Sequence, residues 1–332
     1  MTKIYDTIII GAGISGLIAA SHLRNCGQDV LVVDKSRGVG GRMATRRIGE
    51  ATFDHGAQFF TVRSETFASF IAQAKESGDV REWCDGFLFG DNGEVELRKD
   101  GHPRYCGTKG MTTLAKNLAK NLDVRLKERI QKAVYEDDLW YVSGVENYRA
   151  KALILTAPIP QSLAIVENVE FTGRQELEKI EYTPCFAVMV KTSTPSEIPQ
   201  PGGIKNASAD IEWLGDNMQK GISSQPGITI HATAEFTEKN WDCDFDEVAK
   251  VLLQQAKKWL GGDVVTYQVH RWRYCGPKQV YAQRCFIVKE MAMGMCGDAF
   301  AGPKVEGAFL SGLAVANEMH TMGEDKNGIT SR

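Results

Sequence analysis

Three glycines and one acid give the first chemical signal in this chain. Gly11, Gly13 and Gly16, with Ala12, Ile14 and Ser15 between them, form a G-x-G-x-x-G turn, and Asp34 follows eighteen residues after Gly16. Each position has its own reason: Gly11 allows a tight turn, Gly13 lets backbone approach a diphosphate, and Gly16 lets a helix close on a strand. The helix start then offers its positive end to phosphate oxygens, and Asp34 can accept hydrogen bonds from both hydroxyls of an adenosine ribose. Lys35-Ser36-Arg37-Gly38-Val39-Gly40-Gly41-Arg42 prolongs the loop with glycines and a guanidinium, a second place to hold diphosphate. Near the C-terminus, Gly297-Asp298 and then Val305-Glu306-Gly307-Ala308 place a Gly-Asp turn before a helix start. That arrangement suits a ribityl-diphosphate chain accepted by Asp298. It also sets the Val305–Ala308 amides near a flavin's N1 and C2 carbonyl, where the helix dipole stabilises negative charge. The plain alternatives are a tight strand-to-helix turn for the first motif and a simple helix cap for Gly297-Asp298.

The flanking pattern supplies the elements these motifs need. Tyr5 to Ile10 is a β-branched run ended by glycine, Ile14 to Cys26 has helical spacing and stops at Gly27, and Asp29 to Val33 is a second apolar strand. Together they predict one β-α-β unit. Helices are expected over Ser64 to Ser77, Met111 to Leu122, Asp246 to Leu260 and about Val305 to His320. Short alternating stretches from Asp123 to Gly144 suggest a β-meander, and Ala152 to Pro158 reads as another buried strand. Between Pro158 and about Arg284 the character changes to isolated strands, Phe186 to Val190 and Ile228 to His231, around a polar Pro/Gly-rich stretch. The expected division is a discontinuous nucleotide-binding domain of residues 1–80, 105–158 and 285–325, and a substrate domain of residues 81–104 and 159–284.

Composition excludes several classes of function. Lys and Arg number 39 against 42 Asp and Glu, a net charge of −3, with 43% hydrophobic and 24% charged residues. A mildly acidic chain has no long-range attraction to nucleic acid or anionic lipid. No run approaches the roughly 20 apolar residues of a membrane span. The eight cysteines are scattered without a C-x-x-C, which argues against a zinc site or a sequence-adjacent redox dithiol and points to thiols in a reducing cytoplasm. No metal site is expected, and no signal for an oligomeric state is present.

Several strings go beyond the glycine turn. Asp34-Lys35-Ser36-Arg37-Gly38-x-Gly40-Gly41-Arg42-Met43, Asp54-x-Gly56-Ala57-Gln58-Phe59-Phe60-Thr61-x-Arg63, His270-Arg271-Trp272 and Gly297-Asp298…Val305-Glu306-Gly307-Ala308 lie in order along nearly the whole chain. Taken together they resemble the renalase family of the flavin monoamine-oxidase superfamily. The resemblance implies an α/β (α+β) protein: a Rossmann-type FAD-binding domain of the p-hydroxybenzoate-hydroxylase and monoamine-oxidase type, with a second, mainly antiparallel β-sheet substrate domain. It implies non-covalent FAD held by Gly11, Ala12, Gly13, Ile14, Ser15, Gly16, Asp34, Lys35, Gly41, Arg42, Met43, Gly56, Ala57, Gln58, Phe59, Gly297, Asp298, Val305, Glu306, Gly307 and Ala308. It also implies oxidation of dihydronicotinamide dinucleotides whose hydride sits at ring position 2 or 6, with O2 as acceptor and NAD(P)+ and H2O2 as products. The loop Phe300-Ala301-Gly302-Pro303-Lys304 departs from the family pattern, so no role beside the flavin carries over to Lys304.

The residues themselves agree with that activity. There is no second G-x-G-x-x-G to deliver an ordinary nicotinamide dinucleotide and no close-spaced cysteine pair to take electrons from flavin, which leaves oxygen. A dihydropyridine becomes an aromatic cation on losing hydride, so the step needs ring alignment more than proton transfer. Aromatic walls and a few donors suit such a ring, and the pool is Phe59, Phe60, Trp213, His231, Trp272 and Tyr274, of which Phe60, His231, Trp272 and Tyr274 are the pocket candidates. For each the competing reading is an ordinary core residue. Two further enzymes fit the scaffold, an amine oxidase and a flavin desaturase or isomerase. A flavin-free binding protein of the Rab-GDP-dissociation-inhibitor type would keep the first glycine turn alone.

Overall fold

In the computed structural model, residues 3–91, 94–300 and 302–329 are described. They form two compact units. The first comprises the described residues within 1–41, 115–182 and 276–332, the second those within 42–114 and 183–275. Compactness and ligand assignment are different criteria, and residues 42–80 and 105–114 pack with the second unit.

The first unit is built on a parallel sheet. Ile4–Ile10 lies between Val30–Asp34 and Asn147–Leu155, parallel to both, and the order continues to Asp123–Leu126 on one side and Met293–Met295 on the other. Ile8 and Ile10 face one core cluster with Leu31, Val33 and Trp140, while Ile9 faces another with Leu17, Val32 and Val315. A strand buried on both faces must be apolar at consecutive positions, which is why Ile8-Ile9-Ile10 reads as a continuous run. Helices Ile14–Asn25 and Val305–Ile329 cover the second face. They approach closely because Gly312 carries no side chain; a Cβ there would meet the Ser15 carbonyl. The expected meander is only partly present. Lys132–Glu136 and Leu139–Ser143 form a hairpin on Asn147–Leu155, but Asp123–Leu126 pairs in parallel with Val30–Asp34. Four residues of alternating pattern cannot distinguish the two partners.

The second unit is a mainly antiparallel seven-stranded sheet. Its order is Val264–Pro277, Tyr182–Thr192, Gly227–Ala232, Ile211–Asp216, Gly203–Lys205, Val80–Asp91 and Glu94–Gly107, with one parallel pair between Gly203–Lys205 and Val80–Asp91. Helix Phe245–Ala256 packs on one face against Val188, Val190, Ile228 and Ile230. It ends through a 3₁₀ turn, Lys257–Trp259, and Gly261 at φ +80°. The opposite face carries Ala187, Met189, Trp213, Gly215, Thr229 and His231 in register. Onto it folds the hairpin Thr45–Ile48 with Ala51–Asp54, whose Phe53 packs with Met189. Helix Glu65–Glu76 starts as expected, with Ser64 accepting from the Phe67 amide; the helix expected over Met111 to Leu122 is shorter, Thr112–Ala119.

Candidate functional site

In the first unit the glycine turn and its companions meet at the C-terminal edge of the parallel strands, where open α/β sheets bind ligands. Gly11 sits at φ +117°, and a Cβ there would run into the Thr156 hydroxyl; a Cβ on Gly16 would run into the Gly11 carbonyl. Thr156 donates its hydroxyl to the carbonyls of Ile10 (3.1 Å) and Gly11 (3.2 Å), tying the turn to the next strand end. Gly13 differs: nothing lies within 4 Å of where its Cβ would be. It caps helix Ile14–Asn25 without any side-chain hydrogen bond. Open space in front of an uncapped helix start fits a diphosphate.

Asp34 has a structural duty besides the expected one. Its Oδ2 accepts from the Ala12 amide and its Oδ1 from the Ser36 amide, each at 2.7 Å. Each oxygen keeps a second lone pair for a ribose hydroxyl. The second glycine loop is drawn against the first turn: the Gly40 amide donates to the Ala12 carbonyl at 2.8 Å, and Gly41 is at φ +54° beside Gly13. Lys35 points elsewhere and donates to Gln161 Oε1 at 2.9 Å, with burial pulling its pKa down. Gly297 follows strand Met293–Met295 at φ +146°, and its amide donates to the Ser311 hydroxyl at 2.9 Å. Asp298, Val305, Glu306 and Ala308 are buried around the start of the last helix, and Gly307 leaves room for the Gly302 carbonyl. Ala301, in the loop that departs from the family pattern, lies outside the described residues.

In the second unit the Arg42-Met43 and Gly56–Phe59 strings come together. The Ala57 amide donates to the Arg42 carbonyl at 2.8 Å, and a Cβ on Gly56 would collide with that same carbonyl. Met43 is buried. The Arg42 guanidinium reaches the carbonyls of Tyr274 (3.4 Å) and Cys275 (3.5 Å), which brings the Tyr274 backbone beside it.

Beneath these strings lies a buried ion pair that sequence reasoning missed. Lys220 Nζ meets Asp54 Oδ2 at 2.6 Å, with side-chain exposures of 1% and 0%. Asp54 Oδ1 also accepts from the Met111 amide (2.9 Å) and the Thr45 hydroxyl, and the Asp54 carbonyl accepts from Thr229 (3.0 Å) and Gln58 Nε2 (2.6 Å). Lys220 stands in a loop with no periodicity or motif, and its partner is 166 residues away, so spacing carries no signal for it.

Three histidines cluster beside that pair. The His55 carbonyl accepts from Trp272 Nε1 (2.8 Å) and from His231 Nε2 (3.2 Å), which assigns the proton of neutral His231 to Nε2. The His55 ring stacks on Trp272 at 5.3 Å, and His270 meets both rings edge-on at 4.9 and 4.3 Å. Burial, then His270, Arg46 and His231, push His55 down to about 3. Burial lowers His231 to about 4 against the opposing pull of the His55 carbonyl, and burial followed by Arg46 lowers His270 to about 4. All three imidazoles are therefore neutral at neutral pH. His55 Nδ1, Gln58 Oε1 and Trp213 Nε1 are buried without a hydrogen-bond partner, the mark of a place where a polar ligand atom is missing or a cost is tolerated. Of the pocket candidates, His231 and Trp272 thus meet on one carbonyl. Phe59 instead packs with Phe87 and Trp213, and Phe60 with Tyr105 and Phe67. Among the described residues no group of three or more His, Cys, Asp or Glu is placed to hold a metal, and no helix is long and apolar enough to cross a membrane.

Comparison with known proteins extends this picture. Residues 9–74 match the NAD(P)-binding Rossmann-like domain, and residues 69–320 match the family described as flavin containing amine oxidoreductase. Among curated proteins the chain is similar to the Drosophila melanogaster protein named "possible lysine-specific histone demethylase 1", 44% identical over 59 residues. That stretch is 18% of this chain and only 7% of that protein. Among solved structures, cyclohexylamine oxidase from Brevibacterium oxydans IH-35A superposes with a TM-score of 0.77 at 14% identity, covering 97% of this chain and 100% of the other. A fatty acid isomerase from P. acnes, which produces CLA, superposes with a TM-score of 0.72 at 11% identity, covering 96% and 99%. At such identities the likeness is one of fold.

Proposed function

Because this chain belongs to the flavin containing amine oxidoreductase family, we propose that it is an oxidase of isomeric dihydronicotinamide dinucleotides. Its substrates would be 2-dihydro or 6-dihydro NAD(P), and its products NAD(P)+ and H2O2. FAD, bound without a covalent link, supplies the hydride acceptor and the route of the electrons to O2. The protein's part is to bind and orient. The Gly11–Gly16 turn offers helix amides and open space to a diphosphate, Asp34 offers lone pairs to a ribose, and Gly297-Asp298 stands two strands away, after Met293–Met295. Within the second unit Arg42 is held by the carbonyls of Tyr274 and Cys275.

The observation that carries the substrate assignment is the neutral imidazole group. His55, His231 and His270 surround Trp272 with hydrogen-bonding capacity and no charge, while the nearby carboxylate of Asp54 is taken up by Lys220. A neutral dihydropyridine with its carboxamide suits such a lining, and its oxidation releases a hydride without needing a base. An alkylammonium substrate must lose a proton before it can react, and imidazoles held down at about 3 to 4 are weak bases for that proton. The partners are then small molecules and O2, and the scattered cysteine spacing fits a cytoplasmic setting.

Two assays together test the reading. Denaturation should release all flavin into the supernatant as FAD. In an oxygen electrode, borohydride-generated isomers of NADH and NADPH should consume O2 and yield one peroxide per substrate, with 4-dihydro NADH and a panel of amines inert. Oxygen uptake with an amine and none with the isomers would replace this reading by an amine oxidase. A colourless protein would remove the enzymatic reading altogether.

A further inference from the structure

Strands Tyr182–Thr192 and Val264–Pro277 are hydrogen-bonded neighbours in the second unit. Cys185 on the first and Cys275 on the second hold their thiols in hydrogen-bond contact, although 90 residues separate them in the chain. The two environments differ. Cys185 is 4% exposed and its thiol is directed at the carbonyls of Phe186 (3.3 Å) and Ala232 (3.5 Å). Cys275 is exposed, and its backbone carbonyl accepts from the Arg42 guanidinium at 3.5 Å. An exposed thiol with a second, buried thiol in reach is the arrangement of a redox-sensing cysteine and its resolving partner.

We propose that Cys275 and Cys185 form a peroxide-sensitive dithiol that closes into a cross-strand disulfide. The Cys275 thiolate attacks one peroxide oxygen, the O–O bond breaks, and the departing hydroxide takes up a proton as water, leaving a sulfenic acid on Cys275. The Cys185 sulfur then attacks the Cys275 sulfur; the S–O bond breaks, the S–S bond forms, and the thiol proton leaves with hydroxide as a second water. Two thiols give up two electrons, and the peroxide takes both. Cys275 is the thiol that solvent peroxide reaches, and Cys185, buried against the Phe186 and Ala232 carbonyls, is the resolving one. Closing the bond constrains the Cys275 backbone, whose carbonyl holds the Arg42 guanidinium, so it couples the redox state of this sheet edge to the placement of Arg42. The source of peroxide rests on the oxidase reading above; the dithiol chemistry needs only peroxide.

The test adds hydrogen peroxide to the full-length flavoprotein without substrate, alkylates the remaining thiols, and maps them by peptide mass spectrometry. Two thiols per chain should be lost, with one cross-linked peptide pair carrying Cys185 and Cys275, restored by dithiothreitol. Cys275→Ser should form no cross-link, and Cys185→Ser should accumulate a dimedone-trapped sulfenic acid at Cys275. Direct conversion of Cys275 to sulfinic or sulfonic acid in the parent, or thiol loss elsewhere with Cys185 and Cys275 still alkylated, would overturn the proposal. Because the peroxide is added, this readout stands or falls independently of turnover with dihydronicotinamides.

Discussion

Removing either member of the Asp54–Lys220 pair probes the base on which the Gly56–Phe59 string stands. Breaking a buried ion pair by deleting one partner costs about 3–5 kcal/mol, because a charge is left in a dry site. The two deletions are not equivalent. Lys220→Met leaves the Asp54 carboxylate with the Met111 amide and the Thr45 hydroxyl, so its cost falls at the low end, about 3 kcal/mol. Asp54→Asn leaves an ammonium at 1% exposure with a neutral amide oxygen and the face of Trp83 at 5.1 Å in place of a carboxylate, so its cost falls at about 5 kcal/mol. At about 2.1 cal/mol/K per residue, 332 residues give an unfolding entropy of about 0.7 kcal/mol/K, and the expected falls in Tm are about 4 and 7 °C if the chain melts as one. The double variant Asp54→Asn, Lys220→Met carries no stranded charge and should recover most of the loss. Urea unfolding followed by circular dichroism, with thermal melts alongside, measures all four proteins. If both single variants stay within about 1 kcal/mol of the parent, the pair is solvated and the argument from burial is wrong.

Two other outcomes follow from the same physics. Gly16→Ala drives a Cβ into the Gly11 carbonyl, and overpacking at about 1–3 kcal/mol should weaken flavin binding about tenfold to a hundredfold, read from the flavin-to-protein absorbance ratio after dialysis. His55 and His231 titrate near 3 and 4 when folded and at 6.5 when exposed, so the unfolded chain binds more protons between those values. Their contribution to stability is fully present above pH 6.5 and is lost as pH falls toward 4, with a slope of up to about 1.4 kcal/mol per pH unit for each histidine. Urea midpoints from pH 7.5 to 4.5 measure that slope, which should flatten in His231→Phe; a pH-independent midpoint would show the imidazoles to be solvated.

How much of this was legible in sequence depends on how local each feature is. The first strand, helix and second strand occupy residues 4–34, so their hydrophobic period, their glycines and Asp34 could be read in one window. Buried on both faces, those strands have no alternation to misread. The second unit is the reverse case. Its sheet joins strands from residues 80–107 to strands from 182–277, and the hairpin Val80–Asp91 with Glu94–Gly107 carries exposed charges such as Arg98 and Lys99 that suggest no strand. The site residues divide in the same way. Gly56 is needed only because the Arg42 carbonyl crosses it, and Asp54, Gln58 and His55 gain partners from Thr229, His231 and Trp272 on strands far along the chain. A histidine beside isoleucines and three bulky polar groups in succession predict partners for His231 and Trp272, and both donate to the His55 carbonyl. Lys220 gave no such sign.

The central claim is that this flavin containing amine oxidoreductase takes hydride from misplaced dihydronicotinamides. Rapid anaerobic mixing of the purified protein with borohydride-generated NAD(P)H isomers, followed at the flavin absorbance band, tests it most directly. The account predicts rapid bleaching by the isomer mixture alone, none by 4-dihydro NADH or by amines, and recovery of the colour on admitting air. A flavin that stays oxidised with the isomers and bleaches with an amine would contradict it.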